Sequence, residues 1–181
     1  NGEFVAWTVE NPDASTNSTG KLRITEIKGG NAVTNQYEHL GGTDWKLTKG
    51  NGLRVDRRLE QWDAGTNDLT VTETVESTAG QTVGKSVVKR RNFPWGPATT
   101  ETITDPDGAA LRATWAYYEN PAETGRYSRV KLTLQPDGSW RRYDYDASGR
   151  VAVEIGGFKD ADSNAAASQA RATYFDYTQH P

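Results

Sequence analysis

The stretch Gln135-Pro136-Asp137-Gly138-Ser139-Trp140-Arg141-Arg142-Tyr143-Asp144-Tyr145-Asp146-Ala147-Ser148-Gly149-Arg150-Val151 decides the fold. It opens on a turn in which Pro136 presets φ, Asp137 bonds its own backbone and Gly138 takes a positive φ. Ser139–Tyr145 follows as a strand. Tyr143 and Tyr145 fall on one face and Asp144 on the other, because successive strand side chains point to opposite faces. Asp146-Ala147-Ser148-Gly149 is a second turn, with Asp at its first position and Gly at the left-handed one; Asp146 accepts backbone N–H groups inside it. Arg150–Ile155 is the returning strand, and Arg150 lies within reach of Asp144 or Asp146.

The same period of two runs outward along the chain. Val5, Trp7 and Val9 share a face in Glu3–Glu10. In Leu53–Trp62, Leu53, Val55 and Leu59 alternate with Arg54, Asp56, Arg58 and Glu60. Leu69, Val71 and Val75 alternate with threonines in Asp68–Ser77, and Leu111–Tyr117, Val130–Leu134 and Val151–Ile155 repeat the pattern. Strict alternation is the signature of half-buried strands, and the Thr, Val, Tyr and Trp content agrees with it. Turn signals separate the runs: Gly29-Gly30-Asn31, Gly41-Gly42, Gly50-Asn51-Gly52, Gly65-Thr66-Asn67-Asp68, Pro106-Asp107-Gly108 and the two turns above. Short strands joined by Gly and Asp turns predict an all-β fold, an antiparallel sheet of successive hairpins with at most one short helix. Only Asp160–Ala172, with its alanines, has helix-favouring composition, and it reads as a short helix or an ordered loop. Asn11–Gly20, rich in Ser, Thr, Asn and Gly, reads as an exposed loop.

Composition narrows the function classes. The 181 residues carry a net charge of -3, no Cys and no Met, with 6 Trp and 8 Tyr. Without Cys there is neither a disulfide framework nor a thiolate metal site. Two histidines, His39 and His180, make a His-rich metal site a poor expectation. The charge balance gives no basic footprint for nucleic acid, and no apolar run is long enough for a transmembrane helix. Lacking Met, Asn1-Gly2-Glu3-Phe4 is expected to belong to a processed protein or to a piece of a longer one. A hydrophobic fraction of 34% with 10% aromatics suggests a polar two-sided sheet with an aromatic stripe.

A degenerate second copy precedes the clean one. Pro106-Asp107-Gly108 opens it and Gly125-Arg126 closes it, with an insertion around Asn120-Pro121-Ala122. The string Tyr143-Asp144-Tyr145-Asp146-Ala147-Ser148-Gly149-Arg150-Val151 closely resembles the YD repeat of Rhs proteins, whose pattern is Tyr-x-Tyr-Asp-x-x-Gly-Arg followed by an apolar residue. Phe93-Pro94-Trp95-Gly96 followed by Asp105-Pro106-Asp107-Gly108 resembles stretches between repeats in large bacterial Rhs-like proteins. The resemblance covers roughly Thr104–Gly156; residues 1–92 share only the strand pattern. It implies a secreted or cell-surface protein whose repeats spiral into a hollow β-shell, which encloses a toxin in bacteria and serves adhesion in animal teneurins. On this reading residues 1–103 are a divergent strand-rich region and 104–181 the repeat region, continuous as one module. Tyr143, Asp144, Tyr145, Asp146, Gly149, Arg150, Pro136, Asp137, Gly138, Asp107 and Gly108 are then architectural. The implied partners are flanking repeats of the same polypeptide or identical copies, with a cell-surface glycan as a further one.

No catalytic motif is present: neither a Gly-x-Ser-x-Gly elbow, nor a phosphate-binding Gly-x-x-x-x-Gly-Lys loop, nor His-Glu-x-x-His. The reading is therefore of a protein that is not an enzyme and needs no cofactor. Asp160-Ala161-Asp162-Ser163-Asn164 opens like a calcium loop, but Ala165 stands where Gly is needed and Arg171 where Glu is needed. The tryptophans are expected to fill a core that Val and Leu do not supply. Trp95, between Pro94 and Gly96, is the surface candidate for a carbohydrate-binding reading. The cluster Arg54, Arg57 and Arg58 is expected to be offset across strands by Asp56, Glu60, Glu73 and Glu76. Unpaired sheet edges keep a self-assembling fibre subunit as an alternative.

Overall fold

The computed structural model describes residues 4–10, 20–28, 31–50, 55–77 and 79–177. The loop expected at Asn11–Gly20 lies almost wholly outside the described residues. So do Gly29-Gly30, Asn51-Gly52, Leu53, Arg54 and His180. Thirteen strands follow one another in sheet order: β1 (Phe4–Glu10), β2 (Gly20–Lys28), β3 (Asn31–Gly41), β4 (Asp44–Thr48), β5 (Val55–Asp63), β6 (Asp68–Glu76), β7 (Thr82–Phe93), β8 (Gly96–Thr104), β9 (Leu111–Tyr117), β10 (Val130–Leu134), β11 (Trp140–Tyr145), β12 (Val151–Gly156) and β13 (Arg171–Tyr174). The chain is an antiparallel sheet of successive hairpins, as the alternation predicts. It divides into two compact units, Asn1–Lys89 with Thr104–Ala110 and Arg90–Ile103 with Leu111–Pro181. The chain passes between the units three times: within β7 after Lys89, within β8 after Ile103, and before β9 after Ala110.

In unit 1 the register places residues in transverse rows. Tyr37, Leu47, Asp56 and Val75 form one row, and His39, Trp45, Arg58 and Glu73 the next. Opposite charges meet across and along the strands. Arg57 reaches Asp44 (2.7 Å), and Arg58 reaches Glu60 (2.6 Å) and Glu73 (2.7 Å). The basic cluster is thus offset much as its sequence neighbourhood suggests, with Asp44 as an added partner. At the β5–β6 turn the Asp63 carboxylate accepts the Gly65 N–H (2.8 Å), which leads in holding its pKa below the usual range. Asn67 supplies the positive φ of 59° there.

Unit 2 contains β9–β13 and the facing parts of β7 and β8. Of the two readings open for Asp160–Ala172, a short helix or an ordered loop, its returning segment after β12 takes the loop. Only a 3-10 turn, Ala167–Gln169, forms, and Arg171 and Ala172 belong to β13. The cause lies on β11. The Trp140 indole N–H donates to the Ala161 carbonyl (2.9 Å), and the Arg142 guanidinium donates to the carbonyls of Ser163 and Ala165 (2.9 Å each). Those carbonyls are acceptors that an α-helix would need for itself.

Burial is sparse, and among the described residues no side chain is completely buried. Val55 and Val71 are the buried apolar residues of unit 1; Phe93, Ala113 and Trp140 are those of unit 2. Glu101 is also buried and is paired with Arg112. Val71, 4% exposed, and Val83, 66% exposed, give a direct comparison. Val71→Ala should lower unfolding stability by about 1–3 kcal/mol, whereas Val83→Ala should stay within about 0.5 kcal/mol of the parent. Urea denaturation of both variants checks this.

Candidate functional site

The motif residues build a locked turn. Asp146 Oδ1 accepts the N–H groups of Ser148 and Arg150 (2.9 Å each), and Oδ2 accepts Arg150 Nε–H (2.8 Å). The backbone closes the same loop, with Gly149 N–H donating to the Asp146 carbonyl and Asp146 N–H to the Arg150 carbonyl. The Arg150 N–H is the main cause holding the Asp146 carboxyl below its usual pKa range. Gly149 takes φ +77°, as the turn demands. Arg150 therefore pairs with Asp146. Asp144 is held instead by Arg126 of the preceding hairpin, through Nε (2.7 Å) and Nη2 (3.0 Å).

The second element is a tyrosine that reaches back one strand. Tyr145 donates its phenol to the Val130 carbonyl (2.8 Å), Tyr117 to the Thr99 carbonyl (2.7 Å) and Tyr177 to the Val151 carbonyl (3.1 Å). These tyrosines end or follow β9, β11 and β13, and their acceptors lie on β8, β10 and β12. Arg129 lies over the Tyr145 ring (5.6 Å) and Arg150 over the Tyr177 ring (4.4 Å). Over Tyr117 the neighbour is Phe93, edge-on at 5.4 Å. Burial pushes the Tyr117 and Tyr145 phenols up from their usual pKa.

This geometry moves the end of the degenerate copy. Arg150-Val151 corresponds to Arg129-Val130, and Gly149 corresponds to Ser128, which holds φ +66°. The turn closes on Ser128-Arg129, three residues beyond the expected Gly125-Arg126. Gly125 has another task, since a Cβ there would run into the Asp146 carbonyl oxygen. A third copy, Phe175-Asp176-Tyr177, went unread in the sequence because the Asp146 position of its pattern is filled by Thr178. Its signal is an aromatic residue, Asp and Tyr in the order of Tyr143-Asp144-Tyr145.

The remaining candidates sit apart from this device. Hydrogen bonds from Ser139, its side chain first and its N–H to Oδ1 (2.9 Å) second, hold the Asp137 carboxyl below its usual pKa range, and Gly138 takes φ +80° after Pro136. Asp107 pairs with Lys85 (2.9 Å). Gly108 is needed for space, because a Cβ there would meet the Asp105 carboxylate; the positive φ values of this turn fall on Asp105 and Ala110. Trp95 is half-buried, stacked on Phe93 (4.4 Å, 6°) and edge-on to Tyr127 (5.1 Å). Among the described side chains, Trp45 (49%) and Trp62 (54%) are exposed tryptophans, so the expected core role fails for these two.

Among the described residues no group of His, Asp and Glu comes together to hold a metal ion, and the Asp162 carboxylate caps its own loop by accepting the Asn164 N–H (2.8 Å). No buried side-chain nitrogen or oxygen among them lacks a hydrogen-bond partner. No helix among them is long and apolar enough to cross a membrane. Compared with known proteins, the chain matches no family model and no curated sequence.

Two predictions follow from the turn and the phenols. Tyr145→Phe should cost about 0.5–1.5 kcal/mol, the usual net worth of one hydrogen bond. Gly149→Val should cost more, because a β-branched residue is strained at this positive φ and the Arg129 guanidinium must swing aside for it. Chemical denaturation should rank the two in that order. Stability should also fall at both pH extremes. The lowered carboxyls of Asp63, Asp137 and Asp146 contribute above their ordinary value of 3.8, and the contribution fades as pH drops through the lowered folded values. The raised phenols of Tyr117, Tyr118 and Tyr145 contribute fully below pH 10.0 and lose it as pH rises through their folded values. Urea midpoints across pH, compared with those of Asp146→Asn, should show a shallower acid decline in the variant.

Proposed function

We propose that this chain is a non-catalytic structural module, a YD-repeat segment of a secreted or surface Rhs-like protein that contributes hairpins to a β-shell or scaffold. The observation that carries the reading is the repeated phenol-to-carbonyl bond of Tyr117, Tyr145 and Tyr177, each tying one strand to the strand before it. Residues of the Tyr-x-Tyr-Asp-x-x-Gly-Arg pattern are engaged in the turn, in the ring packing and in the Asp144–Arg126 pair. In these roles Asp144, Tyr145, Asp146 and Arg150 hold shape. Strand order that follows chain order suits repeat architectures, in which each unit touches only its neighbours. The natural partners on this reading are flanking repeats of the same polypeptide.

Electron cryomicroscopy of the parent polypeptide, together with protease treatment of intact source cells, tests the proposal. The expected result is a wall in which these hairpins continue the strand order of their neighbours, on a protein degraded or released by the protease. Hairpins folded into a closed domain apart from any wall would overturn the module reading. Full protease protection that ends only on cell lysis would overturn the surface location.

A further inference from the structure

We propose that unit 1 carries a binding site for a neutral saccharide, centred on Trp45. The site lies on one face of β3–β6, where two neighbouring cross-strand rows meet: His39, Trp45, Arg58 and Glu73, and Tyr37, Leu47, Asp56 and Val75. The rows share a face because strand residues two apart point the same way. A hollow of about 370 Å³ opens over these residues, His39 excepted. That volume falls at the small end of the roughly 300–1,000 Å³ typical of small-molecule sites, which combine an apolar lining with a few converging polar groups.

Trp45 is the platform. Its indole is 49% exposed, yet it is braced: the His39 imidazole stacks on it at 4.6 Å, and His39 Nε2–H donates to the Gly42 carbonyl (2.9 Å). A large aromatic surface held in a fixed orientation loses little freedom when a ligand covers it. Tyr37, Leu47 and Val75 extend the apolar lining. A pyranose ring offers the matching shape, a flat face of C–H groups for the indole and a rim of hydroxyls that each donate and accept.

The polar rim on this face selects a neutral ligand; Lys46 and Arg57 also border the hollow, but they alternate onto the opposite face of β4 and β5, where Arg57 is held by Asp44. Asp56 and Glu73 supply acceptors and Arg58 supplies donors, and each is already ion-paired. Asp56 meets Lys49 (3.0 Å), and Arg58 meets both Glu60 (2.6 Å) and Glu73 (2.7 Å). A charged ligand would have to displace one of these partners. A polyol would bond to the lone pairs that the ion pairs leave over and to the edge of the guanidinium.

The test is isothermal titration of the full chain with cellohexaose, laminarihexaose, chitohexaose and mannohexaose, with a hyaluronan hexasaccharide and inorganic phosphate as anionic probes. At least one neutral hexasaccharide should bind with a submillimolar Kd. Trp45→Ala should weaken it by about tenfold or more, the loss typical of a central aromatic anchor, and Trp45→Phe should recover part of that loss. Trp62→Ala removes a second exposed indole, which lies outside the hollow, and should change affinity less than about twofold. A melting temperature for Trp45→Ala close to the parent's separates lost binding from lost folding. The proposal is overturned if none of the four neutral sugars binds at millimolar concentration, if only the anionic probes bind, or if a folded Trp45→Ala binds like the parent.

Discussion

A phenol hydroxyl donating to a backbone carbonyl of the preceding strand is the constraint on which unit 2 depends. Tyr117, Tyr145 and Tyr177 each make this bond. It fixes where a strand ends relative to its neighbour, which the ladder of backbone bonds alone specifies only through register. It also places an aromatic ring where an arginine of the preceding hairpin can cover it. Arg150 thereby serves two hairpins, bonding Asp146 in its own turn and covering Tyr177 beyond it. Each unit of the repeat is completed by its neighbour, and this explains how so thinly buried a sheet keeps a defined geometry.

Unit 1 reaches the same end by different means. Its transverse rows alternate aromatic, apolar and charged residues, and its ion pairs link β5 to β6 through Arg58 and β4 to β5 through Arg57 and Asp44. Such pairs add little stability one by one at an exposed surface. Their geometric effect is larger, because a guanidinium shared between two carboxylates fixes the face on which it stands. The braced indole of Trp45 stands on that ordered face.

The fold class was legible because period-two alternation and Gly or Asp turns are local properties. Val151–Ile155 and Leu111–Tyr117 read correctly for that reason. The 3-10 turn at Ala167–Gln169 was not legible, because the groups that prevent a helix there, Trp140 and Arg142, stand on a different strand. Strands β2, β3, β7 and β8 were hidden by polar residues on both faces, which blur the alternation. In the candidate site the turn of Asp146 was readable residue by residue. The part taken by Ser128 was not, since a serine carries no signal of a left-handed backbone, and Gly125-Arg126 offered a more obvious ending. Trp95 drew attention through Pro94 and Gly96, but its exposure depends on Phe93, Tyr117 and Tyr127, which are brought to it only by folding.

The strand order has a kinetic consequence. Every strand finds its hydrogen-bonding partner in the strand just before or just after it in the chain, so loop closure is short at each step and its entropic cost is small. Low contact order of this kind favours fast, local folding even in a β-protein. Each hairpin can form as soon as its second strand leaves the ribosome, using the previous hairpin as a template. The tyrosine that ends or follows each odd strand from β9 onward then acts as a latch that closes behind the growing end.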